Sequence, residues 1–366
     1  MLKKLLKVLL TLVVAIGLVA CSSSDGTSKE AAGPNVHVFY YDYGDTYIST
    51  VRTALDTQLE GANVEFTNYD ASGKQQLQTE QVQTAISSGA TLLVVNIVET
   101  GSDDAATTII NAAKEKDIPV VFFNREVSDE VVNSYEKCSF IGTDAKEAGV
   151  MQGNMIGEEL VANFDTYDLN GDGSISYAMF KGQEGNNEAI YRTQFAVENA
   201  DAKLEAAGKS KLVYYDEANS DKYQVDQDGT WSAKAAQDYM ATALGKYNEG
   251  NNNMIELVIC NNDNMAEGAI SALQTVGFNK KGQEKQIPVY GVDATKAAVD
   301  LIAQGVMSGT IKQDAEGMAK IIALAVDNNV NDKGSFDGVE AAGVSGVKVD
   351  DGVAKARIPY QMYTGK

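Results

Sequence analysis

Strand-like and helix-like segments alternate along the chain from residue 36 almost to the C-terminus. The strand-like segments are short apolar runs bounded by Gly, Pro, Asn or Asp, a pattern typical of strands that are covered on both faces. Because helical patterns lie between them, parallel and doubly wound sheets are favoured. A chain of 366 residues exceeds the usual single domain, so we expect an α/β protein with two such lobes. The predicted strands are 36–41, 64–69, 91–97, 119–123, 139–142, 175–180, 211–215, 256–260, 288–292 and 309–313.

The N-terminus has the pattern of an export signal. Three lysines precede the apolar run 8–20, which is too short to be a comfortable membrane span. Residues 18–21, Leu-Val-Ala-Cys, resemble a bacterial lipobox, whose cysteine is diacylated and becomes the mature N-terminus. We therefore expect residues 1–20 to be a lipoprotein signal peptide, Cys21 to be the lipidated anchor to the cell membrane, and the polar residues 21–35 to form a flexible tether. A plain signal peptide with an incidental cysteine is the alternative.

Charge and residue types narrow the function to binding. The formal net charge of −21 opposes binding to nucleic acid and to anionic membranes, so a neutral or cationic ligand fits best. The single histidine, His37, lies within the first predicted strand, and the sequence has no nucleophile–base pair, Walker loop or early GxGxxG. Cys138 and Cys260 lie in apolar strand-like runs, where buried unpaired thiols are expected. We predict that the protein is not an enzyme.

Polar residues follow the apolar strands where each strand ends. Open α/β sheets bind ligands outside the carboxyl ends of their strands, although a helix N-cap is the common fate of Asp or Asn at such a junction. These junctions carry acids and amides and no His or Cys suited to catalysis, which favours a pocket that hydrogen-bonds the hydroxyl groups of a ligand. The residues in question are Asp42, Asp45, Asn124, Asn261, Asn262, Asp263, Asp293 and Gln313.

The Gly-rich segment 181–193 places three further candidates at the start of a helix. Asn186, Glu188 and Arg192 lie close together there, and the latter two are one helical turn apart. In one interpretation Glu188 and Arg192 form an ion pair on the surface, which would contribute little to stability. In the other, Arg192 faces a cleft and presents its planar guanidinium to a ligand. Trp231, the only tryptophan, and Tyr47, at the start of the first helix, are either core residues or a sandwich for the apolar face of a pyranose.

The segment 168–176, Asp-Leu-Asn-Gly-Asp-Gly-Ser-Ile-Ser, reproduces most of an EF-hand calcium loop. The last position should be a bidentate Glu but is Met179, so another part of the chain must supply that carboxylate. The acidic turn 226–229 lacks the full alternation and is interpreted as a surface turn. The oxygen ligands that the loop would offer are Asp168, Asn170, Asp172, the carbonyl of Ser174, and Ser176.

Taken together, these residues resemble the galactose/glucose-binding proteins of ABC uptake systems, which have the periplasmic binding protein type I fold. The resemblance extends from about residue 36 to about residue 360. It implies that Glu256 completes a structural Ca²⁺ site, and that a sugar contacts ten side chains. Asp45, Asn124, Arg192, Asn262, Asp293 and the stacking Trp231 match the family in type, whereas Tyr47, Asn186, Glu188 and Gln313 stand where the family has Phe, His, Asp and Asn.

The resemblance also implies the architecture and the partners. One lobe would comprise 36–142 and 315–356, the other 143–314 and 357–366, joined by a three-segment hinge near 142–144, 313–315 and 357–361. A monomer would bind a neutral hexose (galactose, glucose or a methyl-galactoside) between the lobes and deliver it to an ABC permease, and a chemoreceptor is a further candidate partner. A pentose or a furanosyl signal molecule is the alternative ligand. A transcription regulator of the same fold is disfavoured because it needs an N-terminal helix-turn-helix and a basic face.

Overall fold

A computed structural model describes residues 34–365. The predicted signal peptide, Cys21 and all but the end of the predicted tether lie outside these residues. The strands are β1 (Asn35–Tyr40), β2 (Glu65–Asp70), β3 (Leu92–Val95), β4 (Val120–Phe123), β5 (Cys138–Gly142), β6 (Ser176–Lys181), β7 (Val213–Tyr214), β8 (Gln224–Val225), β9 (Leu257–Cys260), β10 (Val289–Asp293), β11 (Gly309–Lys312), β12 (Lys348–Val349), β13 (Lys355–Arg357) and β14 (Gln361–Tyr363). The α-helices are α1 (Thr46–Gly61), α2 (Gln75–Ser87), α3 (Asp104–Lys114), α4 (Asp129–Asn133), α5 (Ala145–Tyr167), α6 (Asn187–Ala206), α7 (Ala233–Leu244), α8 (Asp263–Thr275), α9 (Lys296–Ala303) and α10 (Ala315–Val330).

Within residues 34–365 the strands form two seven-stranded, mostly parallel sheets, one in each lobe. The N-terminal lobe has the order β12-β13-β5-β4-β3-β1-β2, in which only β12 is antiparallel to its neighbour. The C-terminal lobe has the order β14-β11-β10-β9-β6-β7, with β8 also pairing with β6 and with β14 antiparallel. The two α/β lobes predicted from the alternation are therefore confirmed.

Both faces of each sheet are covered by apolar side chains, as the uninterrupted apolar strands predict. In β1, Val38 and Tyr40 pack into one cluster and Phe39 into the cluster on the opposite face. In β9, Val258 and Ile259 divide between the two faces in the same way, because successive side chains of a strand point in opposite directions. Each sheet is thus buried between two apolar layers, and this packing positions the carboxyl ends of its strands.

The chain passes between the sheets three times, after β5, after β11 and after β13. Two predicted boundaries need correction by one residue. Asn35 already pairs with Glu65 in β1, so it is not part of the tether. Arg357 pairs with Gly142 in β13, so it belongs to the N-terminal lobe rather than to the C-terminal one.

Several short elements have no counterpart in the predicted pattern. The strands β8, β12, β13 and β14 have only two or three residues, and the predicted strand 211–215 is reduced to Val213–Tyr214 in β7. Cys138 and Cys260 are buried free thiols in β5 and β9, which belong to different sheets. Among the helices of residues 34–365, none has the length and apolar character needed to cross a bilayer.

Candidate functional site

A narrow cavity of about 40 Å³ lies between the lobes, at the carboxyl ends of the central strands. Its volume is well below the roughly 300–1,000 Å³ found for small-molecule sites, because the walls of the two lobes stand close together here. The structure brings all ten predicted ligand residues to its wall and adds Tyr41, Ile48 and Arg125, which the sequence reasoning missed. The complete lining is Tyr41, Asp45, Tyr47, Ile48, Asn124, Arg125, Asn186, Glu188, Arg192, Trp231, Asn262, Asp293 and Gln313.

Three of the lining residues are also helix N-caps. Asp45, Asn186 and Asn262 accept hydrogen bonds from helix N–H groups of α1, α6 and α8 at 2.7, 3.0 and 2.9 Å. Capping and ligand binding, which the sequence offered as alternatives, are therefore compatible, because an N-cap at a strand–helix junction lies at the carboxyl edge of the sheet. The second polar atom of each cap also has a protein partner, namely the Tyr41 hydroxyl for Asp45, the Thr100 hydroxyl for Asn186 and the Trp231 carbonyl for Asn262. Each side chain is therefore fixed, and a ligand would pair with a remaining lone pair or amide hydrogen.

Arg192 is buried at the centre of the site. Its guanidinium donates to the Asn261 carbonyl at 2.9 Å, to the Gln313 side chain at 3.3 Å and to the Tyr360 hydroxyl at 2.9 Å. Glu188 is also buried, and its Oε1 accepts a hydrogen bond at 3.1 Å from the backbone N–H of Glu126 in the other lobe. A surface Glu188–Arg192 pair, one of the two predicted alternatives, is therefore wrong, since both side chains face the interlobe space.

Trp231 lies flat against the end of β6. A Cβ atom added to Gly182 would approach the indole to 2.1 Å, so only glycine allows this packing. The Trp231 carbonyl accepts a hydrogen bond from the Asn262 amide at 3.3 Å, and its backbone φ of 57° is in the left-handed region. Trp231 is buried, with only 6% of its surface exposed. It nevertheless belongs to none of the four apolar clusters found in the described residues. The indole is therefore a buried side chain that lines the cavity.

The charges around the cavity nearly balance. Three acids, Asp45, Glu188 and Asp293, face two arginines, Arg125 and Arg192. Burial raises the pKa of Glu188, and burial together with the neighbouring Asp263 and Asp45 carboxylates raises the pKa of Asp293 well above its ordinary value, against the opposing effect of Arg192. With three acids against two arginines, the formal charge of the wall is only −1, so no strong net charge selects an anion or a cation.

Four buried polar atoms of the wall have no hydrogen-bond partner among residues 34–365. They are Glu188 Oε2, Arg192 Nε, Trp231 Nε1 and Gln313 Nε2, which comprise three donors and one acceptor. A buried polar group left unpaired costs about 1–3 kcal/mol. A ligand that carries hydroxyl groups supplies both acceptors and donors, and would therefore pair atoms of both kinds.

Asp263 is a fully buried acid directly behind this wall. Its carboxylate accepts from the Thr310 hydroxyl at 2.6 Å and from the Thr295 backbone N–H at 2.8 Å. Burial raises its pKa to about 7 in spite of these hydrogen bonds. Between about pH 4 and pH 7 the folded protein therefore holds a proton here that the unfolded chain, with an Asp pKa of about 3.9, has already released.

We expect the free energy of unfolding to fall as pH rises from about 4 to about 7, because the folded state binds more protons than the unfolded state in that range. Asp263 should contribute a slope of at most about 1.4 kcal/mol per pH unit. Asp263→Asn should remove that part of the slope in urea unfolding at pH 5 and pH 7. Asp228→Asn, a change at an exposed acid, should keep the wild-type slope. Equal slopes for all three proteins would contradict the assignment.

The predicted calcium loop and Glu256 are adjacent in the structure. Glu256 Oε1 accepts from the backbone N–H groups of Leu169 and Asn170 at 2.7 and 3.1 Å, and Oε2 accepts from that of Ser176 at 2.9 Å. Burial raises the pKa of this carboxyl, and the nearby Asp168 carboxylate adds to the effect. In the portion described, no three His, Cys, Asp or Glu side chains converge as a metal-binding group. The all-oxygen donor set nevertheless fits a hard cation.

Comparisons with known proteins agree with this fold. The sequence profile of the periplasmic binding protein domain matches residues 36–334. The chain is 32% identical over 334 residues to a D-galactose/methyl-galactoside binding periplasmic protein of Haemophilus influenzae, with 91% of each chain covered.

Solved structures share the fold. An ABC transporter solute binding protein from Clostridium phytofermentans with bound β-D-glucose matches with a TM-score of 0.67 at 23% identity, covering 90% of this chain and 94% of that one. Another, from Bacillus halodurans with bound myo-inositol, matches with a TM-score of 0.65 at 23% identity, covering 92% and 96%.

Proposed function

The chain belongs to the periplasmic binding protein family, and from that premise we propose that it binds a neutral hexose outside the cytoplasm and delivers it to an ABC permease. D-Galactose, D-glucose and methyl-galactosides are the proposed ligands. A role in binding rather than catalysis is supported by the family, whose members are solute-binding proteins.

The observation that carries the proposal is the composition of the cavity wall. It combines N-cap acids and amides, two buried guanidinium groups, one indole face and unpaired donors and acceptors in a space that is close to electrically balanced. Hydroxyl groups pair with the polar atoms, and the apolar face of a pyranose covers the aromatic ring. The ligand of the Haemophilus relative, D-galactose or a methyl-galactoside, has both features.

Closure of the lobes around the ligand is supported by the contacts of Arg192. Its partners Gln313 and Tyr360 lie in two of the crossing segments, and the Tyr360 hydroxyl accepts from the hydroxyl of Thr143 in the third at 2.8 Å. A ligand that engages Arg192 therefore acts on a network shared by all three crossings. Binding would favour the closed arrangement, which a permease would then recognise.

A panel of sugars tests the ligand class. Galactose and glucose should raise the melting temperature of the purified protein in a saturable way, because a ligand that binds only the folded state stabilises it by mass action. Ribose, xylose and myo-inositol are tested in parallel as comparison ligands, because they differ from the two hexoses in size or stereochemistry. A thermal shift with a pentose and none with either hexose would contradict the proposed hexose ligand and favour the alternative, a pentose.

We further propose that the loop 168–176 and Glu256 bind Ca²⁺ as a structural ion. The donors would be the side chains of Asp168, Asn170, Asp172 and Ser176, the Ser174 carbonyl and the Glu256 carboxylate. A bound ion would tie the loop to the start of β9 and take no part in sugar binding. The proposal is supported by the loop motif and by the contact between the loop and Glu256.

Chelation should therefore lower the melting temperature by about 5 °C or more, given that Ca²⁺ at a hundred times its dissociation constant contributes roughly 2.7 kcal/mol. Sugar affinity should change less. Glu256→Gln should abolish the difference between the chelated and the Ca²⁺-loaded protein, whereas Glu198→Gln, on the exposed face of α6, should preserve it. Wild-type melting that is indifferent to both chelator and Ca²⁺ would disprove the site.

The remaining partners stay proposals. Anchoring by a lipidated Cys21 concerns residues outside the described range and is supported by the lipobox-like sequence. We also propose that the protein is a monomer and that a chemoreceptor recognises its closed form. Both proposals are based on the family resemblance.

A further inference from the structure

The acidic turn 226–229, predicted to be a surface turn, is buried at its first residue. Asp226 is 4% exposed, and its backbone N–H donates to the Lys181 carbonyl at 3.0 Å. It directly follows β8, which pairs with the end of β6. The surface interpretation is therefore wrong for Asp226, because the short β8 strand, which the sequence pattern did not reveal, draws this residue to the edge of the sheet.

The Asp226 carboxylate binds both neighbours of the tryptophan in the cavity wall. Its Oδ2 accepts from the Thr230 hydroxyl at 3.0 Å and from the Ser232 backbone N–H and hydroxyl, each at 2.9 Å. Its Oδ1 accepts from the Asp228 N–H at 3.0 Å. Four hydrogen bonds converge on this one buried side chain, so it fixes the residues on either side of Trp231.

Trp231 needs such fixation, because its φ of 57° is a conformation that bulky residues rarely adopt. A chain released from its flanking contacts would relax toward negative φ and carry the indole with it. On the other side, the indole rests on Gly182, the residue after Lys181 at the end of β6. The indole packs on Gly182, and Asp226, which binds the residues on either side of Trp231, is hydrogen-bonded to Lys181. Both contacts therefore involve the end of β6.

We propose that Asp226 is a positioning residue that holds the Trp231 indole in the wall of the ligand cavity. Its effect on affinity rests on the proposed hexose-binding function, whereas its effect on the orientation of the indole does not. Because Trp231 is the only tryptophan, its emission reports that orientation directly, with or without sugar.

The test compares four purified proteins by tryptophan emission, acrylamide quenching and galactose or glucose titration. Asp226→Ala should shift emission to the red and increase quenching before any sugar is added. It should also weaken binding several-fold, up to the roughly tenfold loss expected when the indole contact itself is removed. Asp226→Asn should give a smaller change in the same direction, since its amide oxygen can keep the three Oδ2 contacts but its NH2 group cannot accept from the Asp228 N–H. Asp228→Ala removes an exposed carboxylate from the same turn and should change neither signal.

Unchanged emission and unchanged affinity in a folded Asp226→Ala protein would overturn the inference. If that variant does not fold, Thr230→Val removes one donor to the carboxylate and should give a smaller shift in the same direction, with no shift counting against the inference. If wild type binds no hexose but Asp226→Ala still shifts the emission, the positioning role stands and the proposed function falls.

Discussion

Arg192→Met should weaken hexose binding by about a hundredfold or more while leaving a folded protein. Methionine keeps the apolar length of the side chain but loses the charge and the donors to Asn261, Gln313 and Tyr360. Truncating one member of a buried, hydrogen-bonded charged group costs roughly 2–5 kcal/mol, which is a factor of about 30 to several thousand in affinity. The loss should be measured by calorimetry with galactose and glucose.

Two matched variants separate the causes. Arg192→Lys keeps the charge without the planar fork and should lose an intermediate part of the affinity, because a lysine cannot span the same set of acceptors. Gln194→Met adds a methionine to the exposed face of the same helix and should bind like wild type. A folded Arg192→Met protein with near-normal affinity would mean that the guanidinium serves only the architecture between the lobes.

Trp231→Ala should weaken hexose binding by roughly tenfold, because about 60 Å² of apolar sugar surface covered by the indole contributes on the order of 1.5 kcal/mol. In wild type, sugar should change the tryptophan emission in a saturable way as water is excluded from the ring. Trp231→Phe keeps a smaller aromatic face and should lie between wild type and alanine.

A core role for Trp231 predicts the opposite pattern. Emission would be indifferent to sugar, and the alanine variant would melt far lower yet bind normally where folded. The position of the indole on Gly182, outside the apolar clusters of the described residues, favours the cavity role. Thermal melting of the alanine variant beside its sugar titration distinguishes the two.

The sequence was most informative where one local rule determined position. Polar residues that follow apolar strands must meet at the carboxyl edge of a parallel sheet, so Asp45, Asn124, Asn262 and Asp293 could be assigned to a common site. The same rule could have identified Tyr41 and Arg125, which lie at the same strand ends. They were missed because an aromatic residue or a charge at a strand end does not by itself indicate a ligand.

What the sequence did not reveal depends on contacts between distant segments. Glu188 and Arg192 are buried because their side of α6 faces the other lobe. The periodicity of one helix shows which residues share a face, but it does not show which other segment packs against that face. The burial of Asp226 depends on the pairing of a two-residue strand, which has too few residues to show a pattern. The lobe boundaries at Asn35 and Arg357 were displaced by one residue because pairing continues into polar residues.

The most direct test of the central claim is calorimetric titration of the protein, from residue 22 onward, with D-galactose, D-glucose and D-ribose in separate runs. The account predicts one site per chain for galactose or glucose, at least micromolar affinity, and negligible heat with ribose. Saturable binding of ribose together with no heat from either hexose would show that the cavity between the lobes is not a hexose site.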